Sequence, residues 1–434
     1  MSASSASTTS TPPTPPAAGV ESRADTTPWA SLVALMLATF IAAANETVPA
    51  GLLPQLAQGF HVTESWAGQM VTLCALGAGL GAVPLTILLR RWSRRTVLVV
   101  ALLGFALCNA VTAASPDFTL TLAARFVVGL ATGLAWSEIA TYARRLVSPA
   151  HQGRALAFAM LGIPLALAVG VPAATALGQW IGWRWVFGGL SALALVMVGW
   201  MLLIVPDVPA PRGHVDDPSS SRISGQHEPK HEPKHGLPDV LRMPGVRPVL
   251  AVVLLWVVAH YTLYTYIAPF LAAVGMSAHL ATMLTTFGLA TLGGTWGIGL
   301  WVDRWLRTLA LTALATFTAV IVAFMLWPTS WPVLLVGAVF WGLSFSGAPT
   351  VLQTALGNAA GEHENVAQSM LVTVFNLSFA GSGVLGAAVL STWGALAMPP
   401  MLAILALAAW GVTFAASRHG FARRNSAALE GARR

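Results

Sequence analysis

The chain has 434 residues, of which 56% are hydrophobic and 9% charged, with a formal net charge of +7 and a mean hydropathy of +0.71. A water-soluble domain carries about 25% charged residues, so lipid is the solvent for most of this chain. The positive charge sits between apolar segments, which indicates membrane orientation rather than nucleic-acid binding, and the two cysteines, Cys74 and Cys108, give no disulfide framework.

Residues 1–28 are rich in Ser, Thr, Pro and Ala. No basic stretch leads there into a cleavable apolar core, so no signal peptide is expected, and the segment reads as a disordered cytoplasmic tail. Apolar runs long enough to cross a bilayer, about 20 residues each, then follow one another. They fall near 29–51, 66–89, 96–114, 119–143, 153–177 and 184–205, and again near 247–273, 279–302, 308–326, 333–356, 366–390 and 400–416. The fold class predicted is an all-α membrane protein: twelve transmembrane helices, six in a bundle over 29–205 and six in a bundle over 247–416. A cytoplasmic linker over 206–246 joins them, and a basic tail over 417–434 closes the chain.

The second half echoes the first. Arg-Trp-x-Arg occurs at 91–94 and again at 304–307, an offset of 304 − 91 = 213, which Met70 and Met283 share. Each copy ends a glycine-containing apolar run in a short charged turn. A repeat of half the chain marks a transporter built from two membrane bundles. With the N-terminus inside, 21 of the 23 Lys and Arg residues fall in cytoplasmic segments; only Arg125 and Arg184 do not. Both termini are therefore expected in the cytoplasm. Trp180, Trp183, Trp185, Trp327 and Trp331 would flank the outer turns as an interfacial belt.

The linker carries a tandem His227-Glu-Pro-Lys230 and His231-Glu-Pro-Lys234, with His214 and His235 nearby. Without cysteines or an ordered helix to hold ligands, it reads as a flexible connector rather than a metal site. No phosphate loop, HExxH, nucleophile elbow or zinc spacing appears, so neither an enzyme nor a bound cofactor is expected.

Several segments resemble the major facilitator superfamily, and within it the twelve-helix drug:proton antiporter branch that includes arabinose and sugar efflux permeases. Gly299-Leu-Trp-Val-Asp303-Arg304-Trp-Leu-Arg307 is similar to the family's cytoplasmic turn after the second helix of a half. The first-half copy has Thr86 in place of the Gly and Arg90 in place of the Asp, as in sugar-efflux-like members. Leu122-Ala-Ala-Arg125-Phe-Val-Val-Gly129 resembles the fourth-helix arginine motif, and Gly162-Ile-Pro-Leu-Ala-Leu-Ala-Val-Gly170-Val-Pro172 the fifth-helix antiporter motif. Gly182-Trp183-Arg184, Asn45-Glu46-Thr-Val-Pro49 and Phe375-Asn376-Leu are similar to further family signatures.

The resemblance implies a secondary transporter that works by alternating access on a small molecule. The main expectation is proton-coupled efflux of sugars or amphipathic compounds from a bacterial inner membrane, by a monomer that needs lipid and protons as its other partners. Substrate–proton uptake, or a non-transporting membrane sensor, are the alternatives. Charge inside a membrane is costly and usually functional. Glu46, near the outer end of span 1, and Arg125, in span 4, face one cavity in the family's fold. They form either a proton-coupling pair or a structural ion pair, unless Glu46 snorkels to the interface. Glu138, near the inner end of span 4, shares a level with Arg91 and Arg94. With Asp303, Arg304 and Arg307 these are the expected gating charges, or helix-end charges with no such role. In span 7, His260 and Tyr264 share a face at spacing four, beside Tyr261. With Gln353 and Asn376 they form the expected substrate cavity, the alternative being core packing.

Overall fold

The computed structural model describes residues 28–89, 91–148, 151–207, 237–417 and 419–421. Among them every regular element is helical. The long helices are α1 (Trp29–Gly51), α2 (Glu64–Leu88), α3 (Arg94–Ala114), α4 (Phe118–Arg145), α5 (Gln152–Trp180) and α6 (Trp183–Ile204). The second set is α7 (Val246–Thr265), α8 (280–303), α9 (Arg304–Leu326), α10 (Trp331–Ala360), α11 (Glu364–Trp393) and α12 (Ala395–Ala415). Twelve passes in two six-helix bundles put the start of α1 and the end of α12 on one side.

Lipid cannot satisfy backbone or hydroxyl groups, so each must find a partner within the protein. Thr39, Thr132 and Thr318 return their hydroxyls to the carbonyl four residues back, at 2.8–2.9 Å. Helix starts use side chains where the sequence supplies them. Asp117 accepts the Thr119 amide at 2.8 Å to open α4, and Ser93 accepts the Thr96 amide at 3.3 Å to open α3. The turns before α6 and α12 rest on Gly182 (φ 94°) and Gly394 (φ 82°), a backbone region that glycine enters without strain.

The repeat is visible in packing. Gly129 of α4 lies against the Cys74 carbonyl of α2, and Gly342 of α10 lies against the Phe287 carbonyl of α8. Both members of the second pair stand 213 positions after the first. A side chain at either glycine would collide with backbone, so small residues set these helix spacings. The first helix of each bundle also breaks at a matching point. α1 passes through Leu52 into a helix at Leu53–Phe60, and α7 passes through Tyr266 into one at Ile267–Ala273.

Span 1 ends at Gly51 as expected, and a separate short helix continues its path. The helical path runs on from Gly51 to Phe60, because Leu56 N–H still reaches the Leu52 carbonyl at 2.9 Å. At 1.5 Å per residue, Glu46 lies about 26 Å along the helix from Trp29 and about 21 Å from Phe60. Glu46 therefore sits near the end of α1 and about midway along the combined path from Trp29 to Phe60.

One difference between the halves concerns the two charged turns. In the first half the chain leaves the helix between α2 and α3, and Ser93 caps the new one. In the second half Leu280–Leu326 is one helical run interrupted only at Trp305 (φ −124°, ψ 26°). The residue 213 positions after Ser93 is Leu306, which has no capping oxygen and is buried instead.

The belt is mixed. Trp180 and Trp185 are exposed, whereas Trp183 is buried beside Phe60, ring centroids 4.9 Å apart. Arg184 stacks on Trp183 and donates to the Ala113 and Ser115 carbonyls at 3.0 and 2.8 Å, closing the end of α3. Most of the predicted linker, with His214, His227, His231 and His235, lies outside the described residues, as do residues 1–27 and nearly all of the basic tail. The last part of the linker forms a short helix, Leu237–Arg242.

Candidate functional site

A cavity of about 450 Å³ lies between the bundles, walled by α1, α2, α4 and α5 on one side and α7, α10 and α11 on the other. It straddles the internal symmetry. Thr47 and His260, Trp136 and Pro349, and Ile163 and Asn376 all line it, and each pair is 213 positions apart. The structure brings Glu46, from the first bundle, and His260, Tyr261, Tyr264, Gln353 and Asn376, from the second, together around this one cavity.

α7 supplies the aromatic side. His260 is 2% exposed and lies flat on Phe345, centroids 3.3 Å apart at 3°. Trp341 Nε1 donates to His260 Nδ1 at 3.0 Å. An indole N–H can only donate, so Nδ1 holds a lone pair and the hydrogen belongs on Nε2. Tyr261 stacks on Phe379 at 3.9 Å and meets Phe375 edge-on at 6.1 Å. The buried Tyr264 hydroxyl lies beside Thr47 of the opposite bundle. Asn376 donates to the Val372 carbonyl at 2.9 Å, and Gln353 is exposed within the cavity.

α1 and α4 supply the charge. Glu46 Oε1 accepts from Trp136 Nε1 at 3.2 Å. Arg125 is fully buried but forms no ion pair with Glu46. Its guanidinium donates instead to the Asn45 carbonyl and to Asn109 Oδ1 at 3.4 Å, while Asn109 Nδ2 donates to Asn45 Oδ1 at 2.8 Å. Arg125 thus ties α4 to α1 and α3 behind the cavity wall. The expected Glu46–Arg125 contact is replaced by an indole on one side and an asparagine pair on the other.

The expected gating charges lie at the end of the molecule where α1 begins and α12 ends. Arg94 Nη1 donates to both carboxylate oxygens of Glu138 at 2.7 Å. This pair joins α3 to α4 inside the first bundle and does not cross between bundles. Arg95 reaches the Leu202 and Val205 carbonyls at 3.4 Å and stands 3.8 Å from Asp207, holding the end of α6. Arg307 does the same for α12, donating to the Phe414 carbonyl at 2.9 Å and the Thr413 carbonyl at 3.2 Å. Cations at carbonyl-rich helix ends are favourable. Arg91 and Arg304 are exposed; Arg90 and the Asp303 side chain lie outside what the structure describes.

The bundles touch closely at the cavity level and beyond it, away from the termini. Gly288 of α8 meets Leu167 and Ala168 of α5, Gly383 of α11 meets Thr72 of α2, and Gly68 meets the Tyr266 hydroxyl. Tyr266 is therefore a wedge in this seam, donating to the Gly383 carbonyl at 2.7 Å, and not a cavity residue. α5 carries a π-helical turn at Ala166–Gly170, between Pro164 and Pro172, at the same level. On the termini side the lining continues to Met160, Gln353 and Val372, about 12 Å from their helix ends. The cavity thus extends toward the side of the termini.

Sequence reasoning missed Trp136, Phe345 and Phe379 on the wall, and Trp341 behind His260. An aromatic residue in an apolar span has no distinguishing signal. Trp136 has one weak mark, since Pro349 stands 213 positions later and also lines the cavity.

A family model described as Major Facilitator Superfamily matches residues 35–382. The fold is similar to that of the human organic anion transporter MFSD10 (TETRAN), at 17% identity and a TM-score of 0.62, covering 89% of this chain and 99% of that one. It is also similar to the nucleoside transporter NupG (D323A mutant), at 10% identity and a TM-score of 0.71 with the same coverage. At these identities the two structures speak for the fold alone, whereas the family match spans most of the chain. With twelve membrane passes around one inter-bundle cavity, this chain is a multi-pass membrane protein that belongs to the Major Facilitator Superfamily of small-molecule transporters.

Proposed function

We propose that this protein is a proton-coupled efflux transporter of small amphipathic compounds or sugars, acting as a monomer in a bacterial inner membrane. The observation that carries the reading is Glu46, a carboxyl on the cavity wall whose hydrogen-bond partner is the neutral Trp136 indole. A carboxyl there can be charged in one conformation and neutral in another, which is what coupling to a proton gradient requires. The bundles over 29–205 and 247–416 would rock about the cavity, joined by the 206–246 linker. His260, Tyr261, Tyr264, Gln353 and Asn376 would contact the substrate, and Arg125 would hold α1 and α4 in register behind Glu46.

The Lys and Arg bias supports cytoplasmic termini. On that orientation the cavity extends inward, and the seam around Tyr266 is the closed outer face. Glu138 and Arg94 would set the first-half inner gate, with Asp303, Arg304 and Arg307 forming the second-half counterpart. Because Arg94–Glu138 lies within one bundle, it would act by fixing the turn that meets the other.

The test uses purified protein in vesicles with a trapped pH dye, challenged with a panel of pentoses, nucleosides and aromatic amines under an imposed pH gradient. Efflux predicts substrate movement opposite to the proton. Movement in the same direction would establish uptake instead, and no movement with any compound would favour a sensor.

A further inference from the structure

The His260 ring is fixed from several directions. One face lies flat on Phe345, and Trp341 Nε1 donates to Nδ1 at 3.0 Å. Phe287 and Phe317 pack around it, centroids 5.8 and 6.3 Å away. Trp341 has no room to retreat. It is fully buried against Phe287, centroids 4.4 Å apart, and its neighbour Gly342 lies against the Phe287 carbonyl. Nε2 is the ring nitrogen left over. Among the described residues it has no hydrogen-bond partner, and His260 lines the cavity.

This arrangement admits one form of the ring. A hydrogen on Nδ1, in the other neutral tautomer or in a histidinium, would set two donors head to head. The buried indole N–H would then be left unpaired, which is costly. The groups facing the ring do not reverse that preference. On α7 they are Tyr261 and Tyr264, uncharged near neutral pH. Among the described residues α8, α9, α10 and α11 bring no titratable side chain to the ring or the cavity. Glu46 of α1 is the single carboxyl on the lining; it accepts from Trp136 and forms no ion pair with His260. The first bundle has no matching donor. Thr47 stands at the corresponding position and turns its hydroxyl back to the Ala43 carbonyl at 2.7 Å.

We propose that Trp341 is a positioning residue that locks His260 in its neutral Nε2–H form. The cavity thereby gains a fixed hydrogen-bond donor, against which a transported molecule sets an acceptor such as a hydroxyl, ether or carbonyl oxygen. His260 takes no part in carrying the proton, which is left to Glu46. This rests on the reading of the cavity as the transport site and names one determinant of its specificity.

The test is nitrogen-15 NMR of the full-length chain, labelled at histidine and held in lipid nanodiscs, with the His260 signals identified by their loss in His260→Gln. A protonated Nε2 and an unprotonated Nδ1 are expected throughout the range from about pH 5 to pH 8, with Nε2–H in contact with cavity water. Trp341→Phe keeps a ring and removes the N–H, so the Nδ1–H form should rise about fivefold, the weight of one hydrogen bond. A hydrogen on Nδ1 in the unaltered protein, a doubly protonated ring at the acid end, or no water contact at Nε2–H would each overturn the proposal. So would an unchanged tautomer in Trp341→Phe. The first three are read without any variant in the lock, so a Trp341→Phe protein that fails to insert does not blunt the test. In vesicles, Trp341→Phe should raise KM for a carried pentose, nucleoside or aromatic amine and leave kcat nearly unchanged. A fall in kcat alone would make Trp341 merely structural. The NMR signature without movement of any of these compounds would sink the transport reading alone.

Discussion

The two bundles share a fold and divide the chemistry. The first contributes the ionisable groups: Glu46 on the wall, Arg125 behind it and the Arg94–Glu138 pair near the start of α3. The second contributes the aromatic wall, with His260 held between Phe345 and Trp341. Positions 213 apart have kept their location and changed their chemistry, since Thr47 faces His260 across the repeat and Trp136 faces Pro349. The glycine contacts that set helix spacing have stayed alike in both halves. Packing tolerates little change where backbones touch, whereas a cavity wall tolerates any side chain that leaves room.

The largest stability effect should come from breaking the first bundle's asymmetric pair. Glu138 is 2% exposed, and the Arg94 side chain is 14% exposed. Glu138→Gln would leave a mostly buried guanidinium without its counter-charge, at a cost of about 3 kcal/mol. Thermal unfolding in detergent reads that loss. Cysteine labelling from the termini side should also rise if the pair helps fix the gate; unchanged labelling would confine Glu138 to stability. The second bundle has Val351 at the corresponding position, so Val351→Ala should leave labelling as it was.

Where the halves are alike, matched changes should cost alike. Gly129→Ala and Gly342→Ala each force a methyl against backbone in the neighbouring helix. Overpacking of this kind costs about 1–3 kcal/mol. Unfolding midpoints for the two variants should agree closely, and a large gap would mean that the two interfaces only look equivalent.

The smallest effect lies at the helix cap of the first-half turn. Ser93→Ala removes the cap of α3, worth about 1 kcal/mol, whereas Leu306→Ala should act through lost burial. Adding a capping residue, Leu306→Ser, is expected to loosen the helical continuity through Trp305. Limited proteolysis at 303–307 would report it, and no new cleavage would show that packing alone sets this joint.

How far the sequence revealed this molecule follows from what lipid penalises. Twelve spans were legible because length and apolarity are imposed by the bilayer. Glu46, His260 and Asn376 stood out because polar residues are rare in such spans. Phe345 and Phe379 did not, since a ring that faces a cavity looks like one that faces lipid. The groups that Arg125 hydrogen-bonds were not legible, because Asn45, adjacent to Glu46 in sequence, offers a backbone carbonyl that no pattern announces.

The central claim is that Glu46 carries the proton while the second-bundle wall holds the substrate. Counterflow needs no proton gradient, so it separates the two roles when run beside pH-driven transport in the same vesicles, with any compound of the panel that the protein carries. Glu46→Gln keeps size and can still accept the Trp136 N–H. The account predicts that this variant sustains counterflow and loses pH-driven transport. Normal transport in both assays would contradict it and leave Glu46 a bystander on the cavity wall.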